Sequence, residues 1–318
     1  MRGYLLKRFA EAVLTLLGVA VLVFLVLRVL PGDEITARLG IEAGNLTPAQ
    51  RASLETYYGL DRPPLVQFFS WLGSVLSGNF GISVTSGRPV AELIGNALPV
   101  TIELAILATI MGSLVGVAVG VMSASRPDGI RDMLGQGFGL VGLGIPNFVI
   151  ASAIIAVLAA RFGYFPAAAS YVGFFENPLI NIQQQLYPAL TLGVALAAGV
   201  MRTTRSAYLE AGSQDFVRTA RGKGLSARRV RWRHILHNSL IPIVTIVGIQ
   251  FGYLLGGTII VEEIFALPGM GRLVLTGIAQ REYAVVQSTV LVVAAMVVVV
   301  NLAVDLIYAR IDPRVRLS

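Results

Sequence analysis

The densest cluster of reactive side chains in this chain is a basic segment between two long apolar stretches. Nine of the 25 lysine and arginine residues lie between Arg202 and His237. Such a cluster can cradle a phosphate group, hold a metal ion through its histidines, or bind a partner protein. A bilayer does not accept this charge, and short loops rich in lysine and arginine lie on the cytoplasmic side. The segment is therefore predicted to be a cytoplasmic docking surface for a partner.

Phosphate and metal chemistry are both disfavoured here. The run Arg221–Ser226 lacks the spacing of a phosphate-binding loop and does not follow a strand, so the chain is expected not to hydrolyse ATP. The two histidines, His234 and His237, stand among arginines with no nearby carboxylate, which favours a surface or partner contact. The absence of cysteine excludes disulfides and cysteine-based sites. We predict no catalytic residue, no metal ligand and no cofactor in this chain.

The composition predicts an all-α polytopic membrane protein. Of the 318 residues, 55% are hydrophobic and 14% are charged, whereas a soluble domain has about 25% charged residues. The net charge of +7 is assigned to loops that face anionic lipid and a partner, and no nucleic acid is expected. Six apolar stretches are long enough to cross a bilayer. They are about 9–30, 101–122, 134–160, 187–201 (continuing as a helix past Arg205), 239–260 and 284–308.

The distribution of charge places both termini in the cytoplasm. Arg2, Lys7 and Arg8 precede the first span, and an even number of spans separates them from the basic segment. The loop Ser123–Asp132 and the basic C-terminal tail from Arg310 then fall on the same side. No cleavage site of small residues follows the first span, so that span is expected to be retained.

The segment of about 31–99, between the first two spans, is predicted to form a small helical cap on the outer face. Thr47 can cap a helix that has Pro48 in its first position and that Gly59 ends. A second helix, about 65–76, carries aromatic side chains that need a packing partner. The alternatives are a solvated linker and a structural plug that contacts no other protein.

The ionisable residues within the spans lie near the membrane interfaces. They are Glu11, Arg28, Glu103 and Asp305. A carrier coupled to protons or sodium normally needs carboxylates near the midplane of the bilayer. The energy for transport is therefore expected to come from outside this chain.

Short motifs along almost the whole chain resemble those of one family. Each motif is weak alone, but together they occur in the order typical of inner-membrane permease subunits of ABC importers, in the oligopeptide/dipeptide branch that includes glutathione and nickel systems. The chain resembles the first of the two permeases in such systems. The motifs are Leu30–Asp33 (with Glu34 where proline is usual), Tyr58–Pro63, Gly78–Gly81, Gly144–Phe148, Tyr187–Gly193, Asp215–Ser226, Glu262–Phe265, Pro268–Arg272, Arg281–Tyr283 and Asp312–Arg314.

The resemblance implies the type I ABC importer permease fold and a cytoplasmic coupling loop of about 208–237. In this family a short helix of the loop sits in a cleft on the ATPase. The usual Glu-Ala-Ala reads Arg218-Thr219-Ala220 here, so a contact made by that glutamate is not carried over. The predicted coupling residues are Asp215, Arg218, Thr219, Ala220, Arg221, Gly222, Lys223, Gly224, Leu225 and Ser226.

Local sequence rules predict the shape of the coupling loop. Arg218–Ala220 should lie on a short helix that Gly224 ends with a positive φ. Ser226 can then cap a following helix, Ala227–His234. The resemblance implies that ATP-driven dimerisation of the ATPase subunits moves this rigid element and, with it, spans four and five.

The resemblance also implies the partners and the location. They are a second homologous permease, two ABC ATPase subunits or domains that bind ATP and magnesium, and an extracytoplasmic substrate-binding protein, in the inner membrane of a bacterium. The external segment 261–283 is a candidate contact with the binding protein or an outer gate, and the alternative is a re-entrant loop held by its own ion pairs. Its candidate residues are Glu262, Glu263, Pro268, Gly269 and Arg272.

The predicted function is to form half of a translocation pathway for short peptides. Asn147, Gln250 and Asn301 are candidate pore-lining residues, although each could instead satisfy a neighbouring backbone group. The alternative functions are a stand-alone carrier or channel and a non-transport membrane scaffold or enzyme. Glutathione, a nickel chelate, a sugar or an opine is the alternative substrate. The predicted division is 1–96 (first span and cap), 97–310 (permease domain) and 311–318 (tail).

Reporter fusions test the orientation. An alkaline phosphatase fused after Arg229 or at the C-terminus should be inactive because both positions are predicted to be cytoplasmic, whereas a fusion near Gly59 should be active. Phosphatase activity after Arg229 would contradict the orientation, since the positive-inside bias acts mainly on that loop.

Overall fold

The computed structural model describes residues 2–29, 35, 44–57 and 61–311, with the side chains of these residues apart from 2–5, 29 and 306–311. The motifs at Leu30–Glu34 and Asp312–Arg314, the tail 312–318 and the helix end predicted at Gly59 lie outside the described residues. The helices are α1 (Arg2–Val29), α2 (Pro48–Tyr57), α3 (Pro64–Leu76), α4 (Val90–Ala124), α5 (Ile130–Gly144), α6 (Asn147–Phe162), α7 (Pro178–Ser213), α8 (Asp215–Gly222), α9 (Ala227–Arg229), α10 (His237–Gly257), α11 (Ile259–Ile264), α12 (Met270–Ala279) and α13 (Tyr283–Ile311), with a π-helix, Val230–Leu236, between α9 and α10.

The predicted all-α membrane architecture is confirmed, with one correction. Within the described residues, five helical stretches are long and apolar enough to cross a membrane, and a sixth is obtained if α5 and α6 count as one span. The five are Leu6–Arg28, Val90–Ala124, Pro178–Ser213, Ala227–Gly257 and Tyr283–Asp305. The prediction of one continuous span over 134–160 is wrong, because α5 and α6 are bent by 94° at their junction.

Pro146 explains this bend. A proline lacks the backbone N–H that a helix needs, and its ring disfavours helical backbone at the preceding residue. Ile145 is accordingly extended, with φ −89° and ψ 121°, and α6 starts again at Asn147. A window that counts apolar residues does not detect the break, since most residues in the stretches before and after Pro146 are apolar.

The chain forms two compact units. The first contains Met1–Thr101 and Pro268–Val298, and the second contains Ile102–Leu267 and Val299–Ser318. The helices α4 and α13 each contribute residues to both.

In the first unit, aromatic side chains attach the helix α3 to the first span. Phe68 is buried against Phe24 of α1, with ring centroids 5.2 Å apart and edge to face, and Trp71 packs on the same cluster. The predicted helix 65–76 is therefore a packed element and not a solvated linker.

Thr47 and Gln50 begin α2 with a reciprocal pair of bonds: the Thr47 N–H donates to Gln50 Oε1 at 2.9 Å, and the Gln50 N–H donates to Thr47 Oγ1 at 3.3 Å. The predicted cap at Thr47 is confirmed.

In the second unit, glycines bring α4 close to α7. A Cβ added at Gly116 would lie 2.7 Å from the backbone oxygen of Ala197 and 2.8 Å from Cβ of Val200. Gly112 and Gly120, one turn before and one turn after, are packed as tightly on the same helix. Helices surrounded by lipid gain little from the hydrophobic effect and depend on close approach of this kind.

A matched pair of substitutions on α4 tests this packing. Gly95→Ala meets open space, so the better helix propensity of alanine should leave stability unchanged or raise it by up to about 1 kcal/mol. Gly116→Ala has the same propensity gain but forces α4 away from α7, and overpacking of this kind costs about 1–3 kcal/mol. Thermal unfolding of the protein in detergent should therefore separate the two variants. Equal melting temperatures would show that α4 and α7 do not rely on this contact.

Candidate functional site

The coupling segment predicted at Asp215–Ser226 contains a short helix with one buried face. In α8, Val217 is 1% exposed and Ala220 is 5% exposed, while Arg218 and Thr219 between them face solvent. Asp215 and Arg218 form an exposed ion pair at 3.8 Å, and exposed pairs of this kind contribute little to stability. The helix thus anchors itself through its apolar face and leaves its polar face open.

A hydrophobic cluster lies beneath α8, and we call it the junction cluster. Its buried members come from the end of α4, the end of α7, α8 itself and the π-helix. They are Ala124, Tyr208, Ala211, Val217, Ala220, Val230 and Ile235. The hydroxyl of Ser239, at the start of α10, donates to the backbone oxygens of Ala207 at 3.2 Å and Ile235 at 2.9 Å. The junction cluster therefore connects α8 to the ends of three membrane-spanning stretches.

Gly224 ends α8 as the sequence predicts. Its φ is +75°, and its N–H donates to the oxygen of Arg221 at 2.9 Å. The N–H of Leu225 donates to the oxygen of Ala220 at 3.3 Å, and Leu225 packs on the junction cluster. These bonds and the apolar contact form a Schellman motif, which satisfies the last carbonyls of a helix and favours glycine at the left-handed position.

The predicted cap at Ser226 is wrong. Ser226 has the backbone conformation of a capping residue, but its side chain accepts no bond from the next turn. The predicted helix Ala227–His234 is not a separate helix either, because α9 continues through the π-helix into α10. Ser226 is exposed, so water can satisfy the free N–H groups of this turn without a side-chain cap.

A buried ion pair that the sequence analysis missed lies in the same unit. Arg205 of α7 donates to Asp132 of α5 from Nε to Oδ1 and from Nη2 to Oδ2, both at 2.7 Å. The Ser123 hydroxyl donates to Oδ1 at 2.5 Å, and the Asp128 N–H donates to Oδ2 at 3.0 Å. Asp132 is fully buried, and these four bonds compensate for the loss of water around its charge. The signal in the sequence was weak: an arginine in a helix that continues a predicted span favours a carboxylate partner but does not identify it.

The candidate outer-contact residues differ in their exposure. Glu262 is fully buried and accepts a bond of 2.8 Å from the Thr258 hydroxyl, so its side chain offers no surface to a partner. Gly269 is buried at the start of α12, whereas Pro268 and Arg272 are partly buried and Glu263 is exposed. Contact with another protein through Glu262 is therefore not supported, and Glu263 presents the most accessible side chain of the set.

Glu282 binds backbone groups of a turn in the first unit. Its carboxylate accepts bonds from the Ser83 hydroxyl at 3.0 Å and from the N–H groups of Val84 and Thr85, each at 3.2 Å. Thus this acidic residue of the segment 261–283 stabilises the turn that precedes α4.

Two of the three candidate pore-lining residues pack opposite glycines of neighbouring helices. A Cβ added at Gly199 would lie 3.0 Å from Nε2 of Gln250. A Cβ added at Gly252 would lie 2.7 Å from Oδ1 of Asn301. Asn147 is partly buried at the bend between α5 and α6. A role of these residues in lining a pathway stays a prediction.

Comparisons with known proteins agree with this architecture. Residues 116–317 match the model of the family described as "Binding-protein-dependent transport system inner membrane component", and residues 1–105 match the model of its N-terminal region. The chain belongs to this family. The protein is therefore a membrane permease subunit of an ABC importer, a class of transport subunit that is not an enzyme and that works with ATPase and binding-protein partners.

Relatives cover the full length of this permease. It is 37% identical over 317 residues to the oligopeptide transport system permease protein AppB of Bacillus subtilis, with 99% of each chain covered. It is 38% identical over 317 residues to the glutathione transport system permease protein GsiC of Salmonella paratyphi A, again with 99% of each chain covered. A solved structure of the MetNI methionine ABC transporter has a TM-score of 0.55 at 16% identity and covers 69% of this chain and 96% of that chain, which shows a shared fold.

Breaking the buried ion pair should destabilise this permease. Arg205→Met leaves the Asp132 carboxylate buried without its cation, and a loss of this kind costs roughly 3 kcal/mol. The double variant Asp132→Leu with Arg205→Met should recover much of that loss because no buried charge remains. Arg88→Met, which breaks an exposed pair with Glu92, is the control and should change the melting temperature little. A double variant as unstable as Arg205→Met would contradict this account.

Proposed function

We propose that this permease imports short peptides as one half of a heterodimeric pathway. A second, homologous permease forms the other half, two ATPase subunits or domains supply the energy, and an extracytoplasmic binding protein delivers the peptide. The names of the full-length relatives support the substrate class, since several are oligopeptide or peptide permeases. Glutathione, the substrate named for a second group of relatives at 38% identity, is itself a short peptide and is the leading alternative.

The coupling surface in this proposal is the polar face of α8 with the turn at Gly224. The observation that carries it is the combination of a buried anchor, Val217 and Ala220, with an exposed face one residue away. A contact that pushes on the exposed face acts on a helix that cannot move without disturbing the junction cluster. The conformational change that ATP binding causes in the ATPase subunits would thus be transmitted to α7 and α10, as in a two-state rocking of domains.

The orientation and the domain division belong to the same proposal. Both termini lie in the cytoplasm of a bacterial cell, so the basic segment faces the ATPases and the cap helices face the binding protein. Residues 1–96 form the first span with its cap, 97–310 form the permease domain and 311–318 form a cytoplasmic tail. Glu263, which is exposed, is the strongest candidate of the external set for a contact with the binding protein.

Reconstitution tests the function. Proteoliposomes that contain both permeases and the ATPases should accumulate a labelled peptide only when ATP and the binding protein are supplied. This subunit alone should show neither uptake nor ATPase activity, because it has no phosphate-binding loop. Uptake by the subunit alone would support a stand-alone carrier and overturn the importer assembly.

Two glycines of the coupling segment, separated by Lys223, test the role of its turn. Gly222 and Gly224 are both exposed and both have open space where a Cβ would stand, but Gly224 alone of the two has a positive φ. Gly224→Val should therefore strain the backbone by about 1–2 kcal/mol and open the Schellman turn, whereas Gly222→Val should not. We expect Gly224→Val to abolish peptide uptake and loosen ATPase association while membrane insertion stays normal.

The result for Gly222→Val is the control for side-chain bulk on this surface. If both variants lose uptake equally, bulk and not backbone conformation is responsible. Normal uptake by Gly224→Val would show that the segment is a solvated linker.

A further inference from the structure

A basic surface with an exposed tryptophan lies at the beginning of the helical stretch Ala227–Gly257. Trp232 is 60% exposed, and Arg228, Arg229 and Arg233 near it in the chain are exposed as well. Among the described residues, no carboxylate pairs with any of these three arginines. Tryptophan has an apolar ring with one polar group, which suits an interface with a partner or a membrane. The surface therefore offers a ring and three cations to a negatively charged partner.

The π-helix Val230–Leu236 determines which of its side chains are exposed. Its backbone bonds join residues five apart, so Val230 and Ile235 lie on one side, where both are buried in the junction cluster. In an α-helix these two side chains would stand about 140° apart, at 3.6 residues per turn. Trp232 follows Val230 by two residues and Arg233 precedes Ile235 by two, so both point away from the cluster.

The length of the helical stretch gives the level of this surface relative to a bilayer. The apolar helix α10, His237–Gly257, has 21 residues, or about 31 Å, which matches a hydrocarbon core of about 30 Å. Trp232 and Arg233 come five and four residues before α10, or about 6–8 Å further along the axis. The headgroup layer extends about 5–8 Å beyond the core on each side. Arg228 and Arg229 lie one turn further out, and their long side chains can reach back to this layer.

We infer that Trp232 and these three arginines bind the headgroups of anionic phospholipids. A phosphate group has the charge and the acceptor oxygens that the arginine fork recognises, and tryptophan is enriched at the level of the headgroups. Basic residues immediately beside a span are attracted to an anionic leaflet. An ATPase subunit is the other partner that could cover these side chains, but a contact in the cytoplasm gives no reason for a tryptophan at headgroup level.

This inference goes beyond the proposed function and does not depend on the peptide substrate. Val230 and Ile235 belong to the junction cluster, so lipid bound on the opposite side of the π-helix would hold that cluster at a fixed depth. Displacement of α8 by the ATPases would then act on helices that are anchored in the bilayer at this level.

Lipid binding by the complete transporter in detergent tests the role of the charges. In native mass spectrometry the wild type should bind phosphatidylglycerol about tenfold more tightly than the triple variant Arg228→Gln, Arg229→Gln, Arg233→Gln, a difference of about 1.4 kcal/mol. Binding of phosphatidylcholine should be the same for both. The corresponding triple lysine variant should keep most of the affinity for phosphatidylglycerol, because attraction to an anionic surface depends mainly on charge.

A matched variant controls for net charge. Arg51→Gln, Arg62→Gln, Arg88→Gln removes the same charge from exposed positions before α4. It should bind phosphatidylglycerol as the wild type does, because Glu55 and Glu92 already pair with two of these arginines.

The depth of Trp232 has a separate readout. The chain has two tryptophans, and the difference in emission between the wild-type transporter and Trp232→Phe isolates the signal of Trp232. In proteoliposomes that contain phosphatidylglycerol brominated on its acyl chains, this difference signal should be quenched, because a ring at headgroup level can contact the upper part of those chains. An unquenched signal would place Trp232 in water or against a protein subunit and would overturn the site.

The remaining outcomes are equally decisive. Equal binding of phosphatidylglycerol by the wild type and the triple glutamine variant would reject the site. Loss of the ATPase subunits from that variant, with its lipid binding unchanged, would assign the arginines to an ATPase contact. A transporter that imports no peptide but shows both the lipid preference and the quenching would contradict the proposed function and support this surface.

Discussion

The burial of Val217 and Ala220 in the junction cluster is the contact on which the position of α8 in this permease depends. Burial of apolar surface is worth about 25 cal/mol per Å² and has no preferred direction, but packing at interior density makes the cluster rigid. The short helix α8 has few bonds of its own, and its position follows from this contact and from the turn at Gly224. A surface held in this way can transmit a displacement to the helices that it contacts, whereas a flexible loop cannot.

Helix α7 connects the junction cluster to contacts that lie further from the proposed coupling segment. It has 36 residues, or about 54 Å at the usual rise, and it contributes Tyr208 and Ala211 to the junction cluster. Further along, Arg205 holds Asp132, and glycines of α4 and α5 pack against its small and apolar residues. Its first turns contain two buried amides, Asn181 and Gln185, that donate to the carboxylate of Glu103 on α4. One helix thus connects the proposed coupling segment with this buried polar group.

Much of this arrangement could be predicted from the sequence because local rules govern it. The apolar stretches set the spans, Thr47 caps a helix, and Gly224 takes the left-handed conformation that ends α8. What the sequence did not reveal depends on residues far apart in the chain. The pairing of Asp132 with Arg205 joins positions 73 residues apart, and the burial of Glu262 depends on how its helix packs.

The other wrong predictions concern local features, because the same type of residue has different effects at different positions. Pro146 breaks a span, whereas Pro99, Pro188 and Pro242 lie inside helices, so a proline alone does not predict a break. The π-helix at Val230–Leu236 has no simple sequence signature, although π-helices are frequent at functional sites. Ser226 shows that a favourable residue at a helix start does not guarantee a side-chain bond.

Cysteine cross-linking tests the central claim most directly, since the chain has no cysteine of its own and a single introduced thiol is unique. Thr219→Cys places a thiol on the exposed face of α8, and Glu263→Cys places one on an exposed position of the segment 261–283, which is proposed to lie outside. With a bifunctional thiol reagent in native membranes, Thr219→Cys should cross-link to an ATPase subunit that carries a cysteine in its permease-facing cleft, and Glu263→Cys should not. Cross-linking that is absent at Thr219, or as efficient at Glu263, would contradict the assignment of α8 as the coupling surface.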